Sequence, residues 1–246
     1  MALLLGAALF LPLLPLSVLF NAVLTHLRHP LARCLLLLVW PQVGVVILQS
    51  VPLPVPQALV PWALFTSAFY ALRLLTVRDL GLWAGFLASS AFALTWGLAV
   101  SGHAEGLQLF ALWFSLPPAL LALLAGPLAQ RLGAAYAGLS GGLAGPLPRL
   151  AGVLAVIVFA AVGTPPFPGF FALLGLLHEL SGPAAVAVLA IWLVWGWAAA
   201  RLLQGFIFGM ERPNAVADIA RGSALAYFGV LGAFTTAGLY LMGGGL

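Results

Sequence analysis

The stretch that decides the fold runs from Pro148 to Leu180 and reads PRLAGVLAVIVFAAVGTPPFPGFFALLGLLHEL. It is apolar over more than the length of one ordinary membrane span, and Pro165 and Pro166 interrupt it in the middle. Proline removes a backbone hydrogen-bond donor from a helix and clashes with the preceding turn. The segment Arg149–Leu180 is therefore either two spans joined at the prolines or one span that is broken there.

The rest of the chain has the composition of a membrane protein. Of its 246 residues, 64% are apolar and 6% are charged, whereas a soluble domain is about half apolar and roughly a quarter charged. This excludes a soluble globular protein and a disordered one. We predict an all-α polytopic membrane protein with about eight spans. The expected spans are Leu3–Leu24, Cys34–Gln49, Gln57–Thr76, Leu80–Val100, Leu107–Gly126, Arg149–Leu180, Ala184–Phe208 and Ala224–Leu241.

The arginines decide how often Arg149–Leu180 crosses the membrane. The chain has nine arginines and no lysine, and basic residues gather in cytoplasmic loops. If the N-terminus is outside and this segment crosses once, all nine arginines share one side, while Glu105 and Glu179 lie on the other. Two crossings would put the last three arginines outside. We therefore predict one broken span, in a bacterial inner membrane, with both termini on the outer, periplasmic side.

A broken span has two possible meanings. Backbone without hydrogen bonds is tolerated at membrane depth only when protein buries it or when it lines a wet cavity. Discontinuous helices therefore often mark ion or substrate sites in transporters. The alternative is a proline kink that neighbouring helices stabilise, and the sequence leaves both open.

The broken span also carries a resemblance to a known family. The residues GTPPFPGFF at Gly163–Phe171 resemble the G-x-P-P-x-x-G-F motif of antiporter-like membrane subunits. Such subunits occur in respiratory complex I, Mrp antiporters, membrane-bound hydrogenases and proton-driven inorganic-carbon pumps. The matching residues are Gly163, Pro165, Pro166, Gly169 and Phe170. The resemblance implies a discontinuous helix here, and a truncated member that keeps the family's second five-helix repeat and the terminal helices.

This resemblance divides the chain into three parts. Residues 1–56 are predicted to form two N-terminal transmembrane helices. Residues 57–212 are predicted to form the antiporter-like five-helix unit with its broken helix, and residues 213–246 the C-terminal transmembrane helix.

The departures from the family pattern concern its ion path. In full members the G-F of the motif is followed, at the third residue, by a buried Lys or Glu, and the preceding helix carries a polar pair. The matching positions here are Leu173, Phe114 and Pro118. None of these side chains can accept or release a proton, so the family's proton route cannot operate here in its usual form. A shared fold does not transfer an activity.

Few other residues offer chemistry. His178 and Glu179 lie at the predicted outer surface, where they form either a polar helix end or the mouth of a half-channel. The single cysteine allows no intrachain disulfide, and His26 and His29 have no third ligand nearby, which is a weak metal signal. We find no catalytic motif and expect no enzyme, no cofactor and no metal site. The tryptophans are expected to anchor or pack the helices.

Two functional hypotheses remain. The first is an accessory, non-proton-conducting antiporter-like subunit of a larger ion-gradient-coupled complex, with an inorganic-carbon pump favoured over a complex I-like or Mrp-like assembly. Its partners would be other membrane subunits, including a full-length antiporter-like homologue and a substrate-handling subunit. The second is a self-sufficient proton- or cation-coupled transporter that acts as a homo-oligomer through His178 and Glu179.

Overall fold

The structure is a computed structural model that describes residues 2–27, 29–51, 54–102, 106–138, 142–208 and 217–243, with only the backbone at the last two. The described residues form ten α-helices. These are α1 (Ala2–Phe10), α2 (Ser17–His26), α3 (Pro30–Gln49), α4 (Leu59–Leu74), α5 (Leu80–Val100), α6 (Gly106–Leu132), α7 (Pro148–Ala161), α8 (Pro168–Glu179), α9 (Gly182–Ile207) and α10 (Arg221–Gly243).

Helix α5 is the centre of the bundle. Its residues are apolar on every side, and nearly all of them are buried, as expected for a helix without a solvent-facing or lipid-facing stripe. It packs against α2, α3, α4, α6 and α8. The Asp79 carboxylate caps its start by accepting a hydrogen bond from the Leu82 amide at 2.8 Å, which satisfies one of the free amides of the first turn.

The number of long membrane helices is lower than the sequence predicted. Among the described residues, five helices are long and apolar enough to cross a membrane, namely α3, α5, α6, α9 and α10. The expected span Gln57–Thr76 contains only the 16-residue α4. The expected span Leu3–Leu24 is wrong as a continuous helix, because it forms α1 and α2 with an irregular segment at Leu11–Leu16. The physical reason is Pro12 and Pro15, which cannot continue a helix ladder.

The predicted broken span is confirmed. Helix α7 begins on the face of the bundle where the described arginines gather, since the Arg149 amide donates to the Asp218 carboxylate at 2.9 Å. On the same face, Arg131 Nε donates to the Ala217 carbonyl at 3.0 Å. Helix α8 ends at the opposite face, where Glu179 lines a cavity together with Ser101. Helices α7 and α8 therefore cross the bundle once between them.

Some predictions are not addressed by the structure. Arg28, Glu105 and Arg212 lie outside the described residues. The prediction that the arginines share one face can therefore be compared with the structure only for the other seven arginines. The division into residues 1–56, 57–212 and 213–246 stays a prediction. In the structure α1 packs against α2 and α3, α2 packs against α5, and α3 packs against α5 and α6.

Candidate functional site

The candidate site is the break between α7 and α8, called here the second break (Val162–Phe167). Helix α7 gives way at Gly163, whose φ is +67°, a left-handed value that only glycine adopts without strain. Two carbonyls at the break accept hydrogen bonds from donors outside the helix ladder. The Thr164 hydroxyl and amide both donate to the Phe159 carbonyl, at 3.0 and 3.2 Å, and the indole of Trp192 donates to the Val162 carbonyl at 2.9 Å.

Two glycines of the motif bring the two half-helices into contact. A Cβ placed on Gly163 would lie 3.2 Å from the Gly169 carbonyl carbon and 3.1 Å from Leu173 Cδ1. A Cβ on Gly169 would lie 3.3 Å from the Phe114 ring. Any larger residue must therefore displace its neighbours at either position. Of the two, only Gly163 also needs a positive φ.

The second break is open toward the surface of the helix bundle. Pro165 and Pro166 are exposed, and a cavity of about 580 Å³ lies beside them against α9. Phe170 is half-buried and packs on the Trp192 ring, with 5.6 Å between ring centroids. Because the residues that border this cavity on α9 are mainly apolar, it is suited to hydrocarbon or to another helix.

The positions that correspond to the family's ion path are buried and packed. Leu173 is 0% exposed and Phe114 is 1% exposed. The Phe114 ring lies 5.8 Å from the Trp195 ring and 4.9 Å from the Phe110 ring, centroid to centroid. Pro118 is also buried, within α6. The three side chains therefore contribute to an apolar core.

His178 and Glu179 lie at the end of α8 and away from this core. His178 is exposed and Glu179 is half-buried, and Glu179 lines an open cavity of about 550 Å³ between α4, α5 and the start of α9. Leu176 and Leu180 pack on α5 between this cavity and the interior. A Cβ placed on Gly97 would lie 3.1 Å from Leu176 Cδ1 and 3.5 Å from Leu180 Cδ2.

Buried hydroxyls form two small networks that the sequence did not reveal. In the first, the Ser90 hydroxyl donates to the Ser67 carbonyl at 2.7 Å and accepts from the Trp195 indole at 2.9 Å. The networks cross between helices, and the local sequence could not pair their members because each partner on another helix lies at least 23 positions away. This first network connects α4, α5 and α9 without a titratable acid or base.

The second network joins α2, α4 and α5. The Asn21 amide donates to the Ser89 hydroxyl and to the Ser17 carbonyl, both at 2.9 Å. The Tyr70 hydroxyl donates to the Ser17 hydroxyl at 2.8 Å. These bonds satisfy polar groups that would otherwise be costly to bury, so the network's evident role is to hold three helices together.

A first break (Leu11–Leu16) separates α1 from α2 and was missed by sequence analysis. Its free carbonyls are bound by three indoles. These bonds are Trp40 Nε1 to the Leu9 carbonyl at 3.2 Å, Trp96 Nε1 to the Leu11 carbonyl at 3.0 Å and Trp62 Nε1 to the Leu14 carbonyl at 2.7 Å. The Leu14 amide donates to the Thr66 hydroxyl at 3.2 Å. The signal was present in the sequence as Pro12 and Pro15.

Metal chemistry finds no support in the described part of the chain. No group of three or more His, Cys, Asp or Glu side chains is close enough there to hold a metal ion.

The comparisons with known proteins concern the fold. No protein-family model matches the chain, and no curated protein matches it by sequence. Solved structures do match. A chain of respiratory complex I from Thermus thermophilus with bound NADH aligns over 93% of this chain, with a TM-score of 0.81 and 24% identity.

Two further complexes contain chains of the same fold. A chain of the membrane-bound sulfane sulfur reductase, an archaeal respiratory membrane complex, aligns over 97% of this chain with a TM-score of 0.83 and 16% identity. A chain of the Mrp complex from Dietzia sp. DQ12-45-1b aligns over 87% with a TM-score of 0.69 and 16% identity.

The match covers only part of each of these structures, namely 52%, 52% and 42% of their chains. The resemblance that the Gly163–Phe171 motif suggested is therefore confirmed for the fold, by structures rather than by sequence identity. The chain has the fold of about half of a membrane subunit of the complex I and Mrp type.

Proposed function

We propose that the chain is an accessory, non-proton-conducting antiporter-like subunit of a larger ion-gradient-coupled membrane complex. The observation that carries the proposal is the packing of Leu173 and Phe114 at the positions where the family resemblance implies titratable groups. Both side chains are almost completely buried. A proton path needs groups or ordered waters that accept and release protons, and these two side chains offer neither.

The surrounding hydroxyls support the same conclusion. Ser67 and Ser90 bond to each other, and the donor that continues the network is the Trp195 indole. An indole nitrogen donates a hydrogen bond but has no lone pair for accepting one. Proton relay through this network would therefore stop at Trp195.

The proposed partners follow from the open side of the second break. Backbone and prolines at membrane depth are tolerated when protein covers them, and the cavity beside Pro165 is wide enough to receive apolar side chains. We propose a full-length antiporter-like homologue and a substrate-handling subunit as partners. The preference for an inorganic-carbon pump over a complex I-like or Mrp-like assembly rests on the family resemblance alone.

The proposed orientation puts the arginine face in the cytoplasm of a bacterial inner membrane and both termini outside, in accord with the positive-inside rule. It is tested by cysteine labelling from the outside in a Cys34→Ser background. A cysteine introduced by His178→Cys should react with a membrane-impermeant reagent, and one introduced by Arg221→Cys should not. The reverse pattern would overturn the orientation.

The accessory role is tested by purification from native membranes in a mild detergent. A tagged chain should bring down companion membrane subunits in constant stoichiometry, and the identity of these subunits decides between a carbon pump and a respiratory complex. A stable monomer without any companion subunit would overturn the proposal.

One observation favours the alternative of a self-sufficient transporter acting as a homo-oligomer. Glu179 lines a cavity of about 550 Å³ that opens to one face of the bundle, as the mouth of a half-channel would. This alternative predicts ion flux by the purified chain alone, and flux that disappears in Glu179→Gln. Leu176 and Leu180, which close the cavity against Gly97, argue for the accessory role.

A further inference from the structure

A second cavity, of about 260 Å³, lies on the arginine face of the bundle. It is placed where the ends of α4 and α9 meet, and Arg78 and Arg201 both line it. Gln204 adds a side-chain amide one turn beyond Arg201. The side chains of Arg78 and Arg201 make no hydrogen bond or ion pair with any other described residue. Two cations thus border one cavity, and no acidic side chain among the described residues lines it.

The chemistry of this cavity suits a phosphate group. Each guanidinium presents donors in a planar fork that matches a phosphate or carboxylate, and a primary amide adds two more donors. Since one water molecule takes about 30 Å³ of liquid volume, the cavity is large enough for a tetrahedral phosphate with its ester groups. The nearby backbone is already used, because the Gly138 amide donates to the Gly205 carbonyl at 2.9 Å, so the side chains must supply the contacts.

The surface that adjoins the cavity is apolar in two stripes. On α9, Leu193 is 75% exposed and Trp197 is 66% exposed, and Arg201 continues the same helix face one turn later. Both apolar residues also border the cavity beside the second break. On α4, which packs against α9, Phe69 and Leu72 are 41% and 57% exposed. A ligand with a phosphate at the arginines and two hydrocarbon chains along these stripes would cover both surfaces at once.

We infer that this cavity is a binding site for a phosphate group, carried there by an anionic membrane phospholipid. Basic pockets between membrane helices bind lipid headgroups in this way, and an exposed tryptophan beside them is typical of the membrane interface. Free phosphate shares the headgroup chemistry, but it would leave the two apolar stripes without a function. The site does not depend on whether the chain conducts protons, so it can be tested separately from the proposed function.

The test measures phospholipid binding to the purified full chain by native mass spectrometry. Phosphatidylglycerol should bind the wild-type chain more tightly than phosphatidylcholine does. In the double variant Arg78→Gln/Arg201→Gln its affinity should fall roughly tenfold or more, since a hydrogen bond to a charged group contributes about 1.5–3 kcal/mol. The matched control is Arg73→Gln/Arg221→Gln, which removes two charges from the same face outside the cavity and should keep wild-type affinity.

Two further measurements complete the test. One distinguishes a lipid phosphate from free phosphate, and the other controls for misfolding of the glutamine variant. Inorganic phosphate at millimolar concentration should displace little phosphatidylglycerol. If it binds as tightly as the lipid and is lost in the cavity variant, the phosphate site stands and the lipid as its source is wrong. Should the glutamine variant fail to fold, Arg78→Lys/Arg201→Lys keeps both charges without the planar fork and should bind with intermediate affinity. Equal lipid binding by wild type and cavity variant would overturn the inference.

Discussion

Both helix breaks of this chain leave backbone carbonyls without a helical hydrogen bond, and different side chains donate to those carbonyls at the two breaks. At the first break (Leu11–Leu16), three indoles from α3, α4 and α5 donate to free carbonyls. At the second break (Val162–Phe167), one indole from α9 does so, and a threonine of the break supplies the other contact. The second break, which carries the recognisable motif, is thus the one with less support from other helices and with an open side.

A close approach of another helix accompanies each break. A Cβ on Gly44 of α3 would lie 2.9 Å from the Leu11 amide nitrogen, and a Cβ on Gly238 of α10 would overlap with the ring of Pro168. Small residues let helices approach closely within membranes. At the first break the approaching helix α3 also supplies a donor, because Trp40 reaches the Leu9 carbonyl. At the second break the indole donor comes from α9 instead.

Comparison of the two breaks shows that a broken helix is not in itself evidence for an ion path. The carbonyls of Leu9, Leu11 and Leu14 at the first break and of Phe159 and Val162 at the second accept hydrogen bonds from protein donors. These carbonyls therefore need no bound ion or water. Conduction depends on titratable groups near the break. Around the second break the inward-facing neighbours are Phe114 and Leu173, whose side chains are apolar and buried.

The largest effect is expected from a charge at the second break. Leu173→Lys puts an ammonium group into a fully buried site without a partner, which costs on the order of 3 kcal/mol or more, in addition to the lost packing. The yield of monodisperse protein should collapse, as measured by size-exclusion chromatography in detergent. The neighbouring variant Leu174→Lys is the control, because Leu174 is 44% exposed and a lysine there can extend to the membrane interface. Normal yield and stability of Leu173→Lys would mean that the core is already hydrated.

Substitution of Gly163 comes next. Gly163→Ala combines a left-handed backbone, which costs about 1–3 kcal/mol, with a methyl group 3.2 Å from the Gly169 carbonyl. We expect a loss of about 2–4 kcal/mol in the free energy of unfolding. Gly175→Ala in α8 has open space around it and should be neutral or slightly stabilising. Equal thermal midpoints for the two variants would show that the second break can relax freely.

The equivalent test at the first break uses Gly44 of α3, which lies against Leu11 and Phe10. A methyl group there would press on Leu11 and Phe10 at 2.8 to 2.9 Å, partly against backbone, and overpacking of this kind costs about 1–3 kcal/mol. Gly6→Ala is the control, since its added methyl group would meet only Ile47 at 3.8 Å. The comparison uses unfolding midpoints in detergent. If Gly44→Ala is as stable as Gly6→Ala, α3 does not pack as closely against the first break as the structure shows.

Removal of one indole donor should have a smaller effect. Trp96 is 0% exposed and donates to the Leu11 carbonyl, so Trp96→Phe leaves a buried acceptor unpaired at a cost of about 1–2 kcal/mol. Trp197→Phe is the control, because the Trp197 side chain is 66% exposed and makes no hydrogen bond within the described residues. The free energy of unfolding of Trp197→Phe should stay within about 0.5 kcal/mol of the wild-type value. A loss in Trp197→Phe as large as in Trp96→Phe would remove the special role of the indoles at the breaks.

The sequence predicted the second break better than the first for a physical reason. The positions of the arginines decided how often Arg149–Leu180 crosses the membrane, because basic residues gather in the loops on the cytoplasmic side. Within Leu3–Leu24 no charge constrains the chain, and hydropathy is insensitive to Pro12 and Pro15, which are flanked by leucines. Proline spacing was the one local signal that could have revealed the first break.

The parts of the site that sequence could not predict depend on contacts between distant positions. Trp192 meets Val162, and Asp218 caps α7 by accepting from the Leu150 amide at 3.2 Å. Such partners are separated by 30 to 68 positions, and nothing in their local sequence pairs them. By contrast, the apolar residues Phe114 and Leu173 could be identified by comparing the sequence with the family's pattern around the motif.

The most direct test of the account is a measurement of proton flux through the chain alone. Monodisperse wild-type protein is reconstituted into sealed liposomes with an internal pH indicator, and a proton gradient is imposed, with an added protonophore as the positive control. The account predicts the same leak as in protein-free liposomes, for the wild type and for Glu179→Gln alike. Flux above that leak would contradict a dry, non-conducting interior, and its loss in Glu179→Gln would assign the path to the cavity at the end of α8.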